Sequence, residues 1–179
     1  YIEELLKDRT EIKLFTRPRR FGKTLNMSTL KYFFDVKNAE ENRKLFKDLY
    51  IEKSEYFKEQ GQYPVIFITL KDLKKNTWKE MNFEIKELLR NLYDEFNFIR
   101  DTLSISDLRE FDKIWLKEED ANYDSSLLNL TKYLYNYYKK EVVLLIDEYD
   151  SPLITANQRG YYKDSINFFR NFLSLALKT

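Results

Sequence analysis

The chain has 179 residues, of which 43% are hydrophobic, so it can bury the core of one typical domain. Its 31 basic and 30 acidic residues leave a formal net charge of +1, which excludes a global field that attracts nucleic acid or membranes. Cysteine and histidine are absent, so disulfides, thiolate metal sites and histidine general bases are excluded, and any chemistry must use carboxylates, Lys, Arg, hydroxyls or a bound ion.

The hydrophobic periodicity predicts strands that alternate with helices. The predicted elements are a helix over 2–7, a strand over 12–15, a helix from about 23, a charged and mostly helical stretch over 37–58, a strand over 65–70, helices over 78–92, 105–116 and 127–138, a strand over 142–146, and a last helix over 166–177. The strands at 65–70 and 142–146 are continuous apolar runs, which is typical of strands buried on both faces. This order indicates an α/β fold with a mostly parallel sheet flanked by helices.

No apolar run in the sequence approaches the roughly 20 residues that cross a bilayer. We therefore expect a cytoplasmic protein without a membrane partner. The first residue is Tyr1 rather than methionine, so we also expect the chain to be a piece of a longer polypeptide.

The first chemical motif lies between the predicted strand at 12–15 and the helix that follows it. Gly22, Lys23 and Thr24 form the closing half of the Walker A pattern. Glycine lets the backbone approach phosphate oxygens, lysine reaches the β- and γ-phosphates, and the threonine hydroxyl is a hard ligand for Mg²⁺. The general pattern has glycine where this chain has Arg17. The alternative interpretation is a chance Gly-Lys-Thr tripeptide at a helix start.

The second motif follows the predicted strand at 142–146, where Asp147 and Glu148 complete a Walker B pattern. Asp147 is predicted to hold Mg²⁺, through water or via Thr24, and Glu148 to polarise the attacking water. The alternative is a buried strand followed by a solvated acidic turn. Both motifs occur in the expected order and each follows a predicted strand, so together they predict a nucleotide site at the carboxyl ends of parallel strands.

Three segments resemble the bacterial and archaeal AAA-ATPase-like family. They are Arg-Pro-Arg-Arg-Phe-Gly-Lys-Thr at 17–24, Leu-Ile-Asp-Glu-Tyr-Asp at 145–150, and the segment 160–173. In that family the phosphate loop is characteristically Arg-Pro-Arg-Arg-Phe-Gly-Lys-Ser/Thr, which implies that Arg17 replaces glycine by family habit. The resemblance covers nearly the whole chain. The predicted nucleotide-binding residues are Arg17, Arg19, Arg20, Phe21, Gly22, Lys23 and Thr24.

The resemblance also implies a P-loop NTPase-type core, often joined to a C-terminal domain similar to PD-(D/E)XK restriction nucleases. Residues 1–179 are then a single but incomplete N-terminal part of that ATPase domain. The strand that carries a polar sensor residue in such ATPases is missing from the chain. In that fold the sensor strand lies between the phosphate-loop strand and the strand of Asp147. We therefore expect a gap in the sheet at that position.

The predicted function is Mg²⁺-dependent ATP binding, with ATP hydrolysis that drives a conformational change in a neighbouring domain or subunit. Glu148 and Lys23 are the predicted catalytic residues, and Thr24 and Asp147 the predicted metal ligands. The sequence does not separate ATP from GTP. Candidate partners beyond ATP are the nuclease-like domain, nucleic acid and further copies of the chain.

Two rival functions stay open at the level of sequence. One is a nucleotide-binding switch that does not hydrolyse its ligand. The other is a nucleic-acid-binding module in which Arg17, Arg19 and Arg20 contact the phosphate backbone. For Arg19 and Arg20, a nucleotide phosphate or an acidic side chain of the same protein is the alternative partner.

Overall fold

The computed structural model describes residues 1–8, 10–15 and 22–177. Within these residues the chain is a mixed α/β protein, as the sequence predicts. Its helices are α1 (Ile2–Lys7), α2 (Lys23–Phe34), α3 (Ala39–Arg43), α4 (Trp78–Glu95), α5 (Ile105–Trp115), α6 (Ser126–Tyr138), α7 (Ser151–Arg159) and α8 (Tyr162–Ala176). Its strands are β1 (Val65–Thr69) and β2 (Val143–Asp147).

The chain divides into two compact units. The first comprises Tyr1–Phe67 and Lys140–Asp147, and the second Ile68–Lys139 and Glu148–Thr179. The first unit has an apolar core to which α1, α2 and both strands contribute. The buried members of this core are Ile2, Leu30, Phe33, Phe34, Phe46, Ile51, Phe57, Val65 and Leu145.

Strands β1 and β2 pair as a two-stranded parallel sheet. The amide of Val143 donates to the carbonyl oxygen of Pro64 at 2.9 Å, where the pairing begins. Both strands agree with the apolar runs of the sequence within one residue at each end. The predicted burial on both faces is closest to the observed one in β1, where Val65, Ile66 and Ile68 are buried. It is wrong for most of β2, in which Leu145 and Asp147 are buried and the other three residues are half-buried. Strand β2 ends on Asp147, which is therefore presented at its carboxyl end.

The C-terminal end of α2 is tied to the segment that leads into β1. The amide of Gly61 donates to the carbonyl oxygen of Phe33 at 2.8 Å, and the amide of Tyr63 donates to the carbonyl oxygen of Phe34 at 2.9 Å. The amide of Val36 returns a bond of 2.8 Å to the carbonyl oxygen of Tyr63. These backbone bonds fix α2 against the start of the sheet, so the direction of α2 is determined by backbone pairing as well as by its apolar contacts.

The predicted strand at 12–15 is wrong, because these residues adopt no strand. Ile12 is 52% exposed and Leu14 is 66% exposed, so neither apolar side chain gains the burial that a core strand provides. The Lys13 Nζ donates to the carbonyl oxygen of Asp8 at 2.7 Å. Such local side-chain bonds compete with a sheet ladder. Among the described residues the mostly parallel sheet that we predicted therefore has two strands.

The stretch 37–58 is less regular than predicted. A single short α-helix, α3, is followed by three short 3₁₀ segments at Lys44–Phe46, Tyr50–Lys53 and Glu55–Glu59. Asp48 interrupts the run with a left-handed backbone at φ 62°. The chain therefore turns between the short segments rather than continuing as one helix.

The second unit is helical. Helix α4 contacts α5, and α8 contacts both α6 and α7. The Tyr93 hydroxyl on α4 donates to the carbonyl oxygen of Ser126 at 2.7 Å and is buried. Thr77 and Glu80 form a reciprocal capping box that fixes the start of α4. Within the described part of the chain, no helix combines the length and the apolar character needed to cross a membrane.

Candidate functional site

The predicted nucleotide-binding residues divide into two groups. Arg17, Arg19, Arg20 and Phe21 lie outside the described residues. Gly22, Lys23 and Thr24 are described, and so are the two acidic residues of the second motif.

Gly22 is the N-cap of α2 and has a left-handed backbone, with φ 70° and ψ 21°. A Cβ atom at this position would meet no atom within 4 Å, so backbone conformation rather than space favours glycine here. The carbonyl oxygen of Gly22 accepts from the amide of Asn26 at 2.9 Å, which closes the first turn of the helix. That turn carries no acidic residue and no side-chain cap. The positive end of the helix dipole and the first amides of α2 are therefore not offset by a carboxylate in their own turn.

Lys23 and Thr24 are the first two residues of α2. Lys23 is half-buried, whereas Thr24 is exposed. Their place at the helix start combines an ammonium group and a hydroxyl with the helix amides. This is the combination that anionic phosphates bind at helix N-termini.

Thr24 and Asp147 are joined by a hydrogen bond although they lie 123 residues apart in the sequence. The Thr24 Oγ1 donates to the Asp147 Oδ2 at 2.9 Å. Asp147 is only 6% exposed. Leu30 and Phe33 of α2 share the core of the first unit with Leu145 of β2, so apolar packing supports the approach of the two elements. The first turn of α2 and the carboxyl end of β2 thus meet at a pair of hard oxygen atoms.

Glu148 begins a tight turn within the second unit. Its φ is 51°, an uncommon value for a residue other than glycine. Its Oε2 accepts from the Ser151 Oγ at 2.8 Å, and its carbonyl oxygen accepts from the Ser151 amide at 3.1 Å. Sequence reasoning did not single out Ser151. The available signal was a serine three residues after the acidic pair and directly before Pro152, which is typical of a helix start.

Among the described residues, no group of three or more His, Cys, Asp or Glu side chains could hold a metal ion. A metal cage built only from such side chains is therefore not formed by this part of the chain. The Thr24 hydroxyl and the Asp147 carboxylate are the hard oxygen donors that the two motifs bring together.

A search of curated proteins and a search of solved structures each returned no match. The model of the family described as Predicted AAA-ATPase matches residues 1–179, the entire chain. The chain therefore belongs to the AAA-ATPase-like family.

Proposed function

We propose that this protein binds ATP together with Mg²⁺ and hydrolyses it, using a P-loop NTPase-type arrangement within a single domain that spans residues 1–179. The observation that carries the proposal is the hydrogen bond between Thr24 and Asp147. It joins the Gly-Lys-Thr helix start to the acidic carboxyl end of β2, and these are the two parts that a nucleotide site requires. Membership of the AAA-ATPase-like family supports ATP as the nucleotide.

In this proposal the phosphates bind at the first turn of α2. The left-handed Gly22 lets the main chain approach the phosphate oxygens, and the amides at the helix start donate to them. Lys23 contributes the positive charge at the β- and γ-phosphates. Arg17, Arg19, Arg20 and Phe21 complete the proposed loop on sequence grounds.

The donor set fits Mg²⁺. Magnesium prefers oxygen ligands, and the Thr24 hydroxyl and the Asp147 carboxylate, which are hydrogen-bonded to each other, are hard oxygen donors of this kind. Asp147 would act on the ion through water or via Thr24. Magnesium in nucleotide sites also takes few protein ligands, because phosphates and waters supply the rest. Thr24 and Asp147 would hold the ion, which when bound offsets the charge of the β- and γ-phosphates.

Glu148 is the proposed catalytic carboxylate, because it directly follows Asp147 and a carboxylate can orient water without histidine. The water oxygen forms a bond to the γ-phosphorus. The bond to the bridging oxygen breaks, and its electron pair leaves with ADP. The water proton passes to the Glu148 carboxylate and then to solvent. Hydrolysis would drive a conformational change in a neighbouring nuclease-like domain or in another copy of the chain.

Phosphate release and ATP binding, measured together on the full-length protein, test this function. We expect Glu148→Gln to retain ATP binding and to lose turnover, because the amide cannot accept the water proton. We expect Asp147→Asn to weaken the dependence of binding on Mg²⁺. Tight ATP binding without turnover in the wild type would instead favour a non-hydrolysing switch. Binding of nucleic acid that survives loss of ATP binding would favour the nucleic-acid module.

A further inference from the structure

Ser151 bonds to both the main chain and the side chain of Glu148. Its amide donates to the Glu148 carbonyl oxygen at 3.1 Å, and its hydroxyl donates to the Glu148 Oε2 at 2.8 Å. One residue thus holds the backbone of Glu148 and the direction of its carboxylate at the same time.

The backbone of Glu148 needs such support. Its φ of 51° lies in the left-handed region, which a side chain with a Cβ seldom adopts. A residue persists in this region when the surrounding contacts determine its conformation, and such residues cluster at functional sites. The two bonds from Ser151 are contacts of this kind.

Ser151 is itself held in place. It is 8% exposed and is the first residue of α7, directly before Pro152. The proline ring restricts φ at the second helical position, and α7 packs on α8. The hydroxyl donor is therefore fixed by the helix that carries it, so it can define where the carboxylate points.

We propose that Ser151 is a positioning residue that fixes the direction of the Glu148 carboxylate, the proposed catalytic group. This inference rests on the proposed ATP hydrolysis. A hydroxyl that donates to one carboxylate oxygen fixes the plane and direction of the group, and misplacement of a catalytic group by about 1 Å can slow a reaction on the order of 100-fold. In this role Ser151 acts through Glu148, to which both of its hydrogen bonds are made.

The chain offers a matched control for a purely local serine contact. Ser126 is also fully buried at the start of a helix in the second unit. Its Oγ donates to the carbonyl oxygen of Tyr123, three residues earlier, at 2.8 Å. Ser126→Ala therefore removes a buried hydroxyl bond of the same span that involves no acidic side chain.

The test compares Ser151→Ala, Ser151→Thr and Ser126→Ala with the wild type and Glu148→Gln in the full-length protein. We expect Ser151→Ala to lower kcat about 10- to 100-fold with an unchanged ATP dissociation constant. Ser151→Thr keeps the hydroxyl, so its kcat should be close to that of the wild type. The control Ser126→Ala should also keep the kcat of the wild type. Without nucleotide, the carboxyl carbon resonance of Glu148 should move in Ser151→Ala and stay unchanged in Ser126→Ala.

The outcomes separate this inference from the proposed function. If Glu148→Gln abolishes turnover while Ser151→Ala matches Ser126→Ala in kcat and in the Glu148 resonance, the positioning role is refuted and the ATPase function stands. If the wild type binds ATP but releases no more phosphate than Glu148→Gln, both the catalytic role of Glu148 and the positioning role fail. If the wild type does not bind ATP, the proposed function fails as a whole.

Discussion

The hydrogen bond between Thr24 and Asp147 predicts a measurable coupling in stability. The perturbation is Thr24→Val, which keeps the branched shape of the side chain and removes the hydroxyl. Hydrogen bonds to charged groups contribute about 1.5–3 kcal/mol. Asp147 is 6% exposed but Thr24 is exposed, so we expect the lower end of that range, about 1.5 kcal/mol. With Asp147→Asn in a double-mutant cycle, the coupling energy should be about 1 kcal/mol.

Urea unfolding followed by far-ultraviolet circular dichroism is the assay. Tryptophan fluorescence is less suitable, because Trp78 and Trp115 both lie in the second unit and the bond lies in the first. A loss of about 1.5 kcal/mol lowers the urea midpoint by about 0.5–1 M if the slope is unchanged. Equal slopes of the free energy of unfolding against urea concentration would show that the wild type and the variants expose the same surface on unfolding.

Thr29→Val is the matched control on the same helix. The Thr29 Oγ1 donates only a local bond, to the carbonyl oxygen of Leu25 at 2.8 Å. Its removal should change the free energy of unfolding by less than about 0.5 kcal/mol. If Thr24→Val and Thr29→Val cost the same, and the cycle with Asp147→Asn shows coupling below about 0.3 kcal/mol, the contact on which the site is built does not exist in solution.

Three further changes test the structure of the two units, two in the first and one in the second. Gly61→Ala should lower the free energy of unfolding in urea by about 2–4 kcal/mol, because the new Cβ at φ +70° would lie 2.5 Å from the Ala39 Cβ. Adding Ala39→Gly should recover part of this loss. Burial, and secondly the hydrogen bond to Glu59, raises the pKa of Tyr63 to about 12. Because the folded protein holds this proton more tightly than the unfolded chain, the neutral tyrosine adds to the free energy of unfolding below pH 10, and this contribution is lost as the pH rises to about 12. Tyr63→Phe should flatten this part of the stability profile and remove one late tyrosinate from the ultraviolet titration; an unchanged titration contradicts the assignment. Leu89→Ala should lower the free energy of unfolding, measured by thermal unfolding, by about 2–5 kcal/mol, because Leu89 is fully buried. A loss below about 1 kcal/mol would place Leu89 outside the core.

Periodicity and apolar runs predicted most helices and both observed strands. The strands at 65–69 and 143–147 both coincide with continuous apolar runs of the sequence, although the second strand is only partly buried. Helices α4, α5, α6 and α8 have long amphipathic patterns that outweigh local competition. These elements are encoded over ten or more residues, or in one continuous apolar run, which is why the sequence alone indicated them.

The failures occurred where short segments depend on tertiary partners. The run 12–15 has strand-like composition, but Ile12 and Leu14 stay exposed and local bonds from Lys13 hold the chain. The stretch 37–58 has a mostly helical pattern, but Asp48 adopts a left-handed backbone and the chain forms α3 and three short 3₁₀ segments instead of one helix. Helix α7 was not among the predicted elements. Its second residue is Pro152, and a proline that would interrupt the middle of a helix is tolerated in the first turn.

The candidate site was predictable in its residue types but not in its contacts. Two short motifs linked Gly22, Lys23 and Thr24 with Asp147, and the structure has Thr24 bonded to Asp147. Their roles in phosphate and Mg²⁺ binding stay predictions. The bonds from Ser151 to Glu148 could not be foreseen, because they depend on a left-handed backbone that the sequence does not reveal.

Calorimetric titration with ATP and Mg²⁺, on the wild type, Lys23→Ala and Lys31→Ala, tests the central claim most directly. Lys31 is a lysine of the same helix, near its opposite end and over the ring of Phe67, so its loss controls for a general loss of positive charge. We predict that the wild type and Lys31→Ala bind ATP and that Lys23→Ala loses the binding. Equal binding by Lys23→Ala, or no binding by a folded wild type, would contradict a nucleotide site at this helix start.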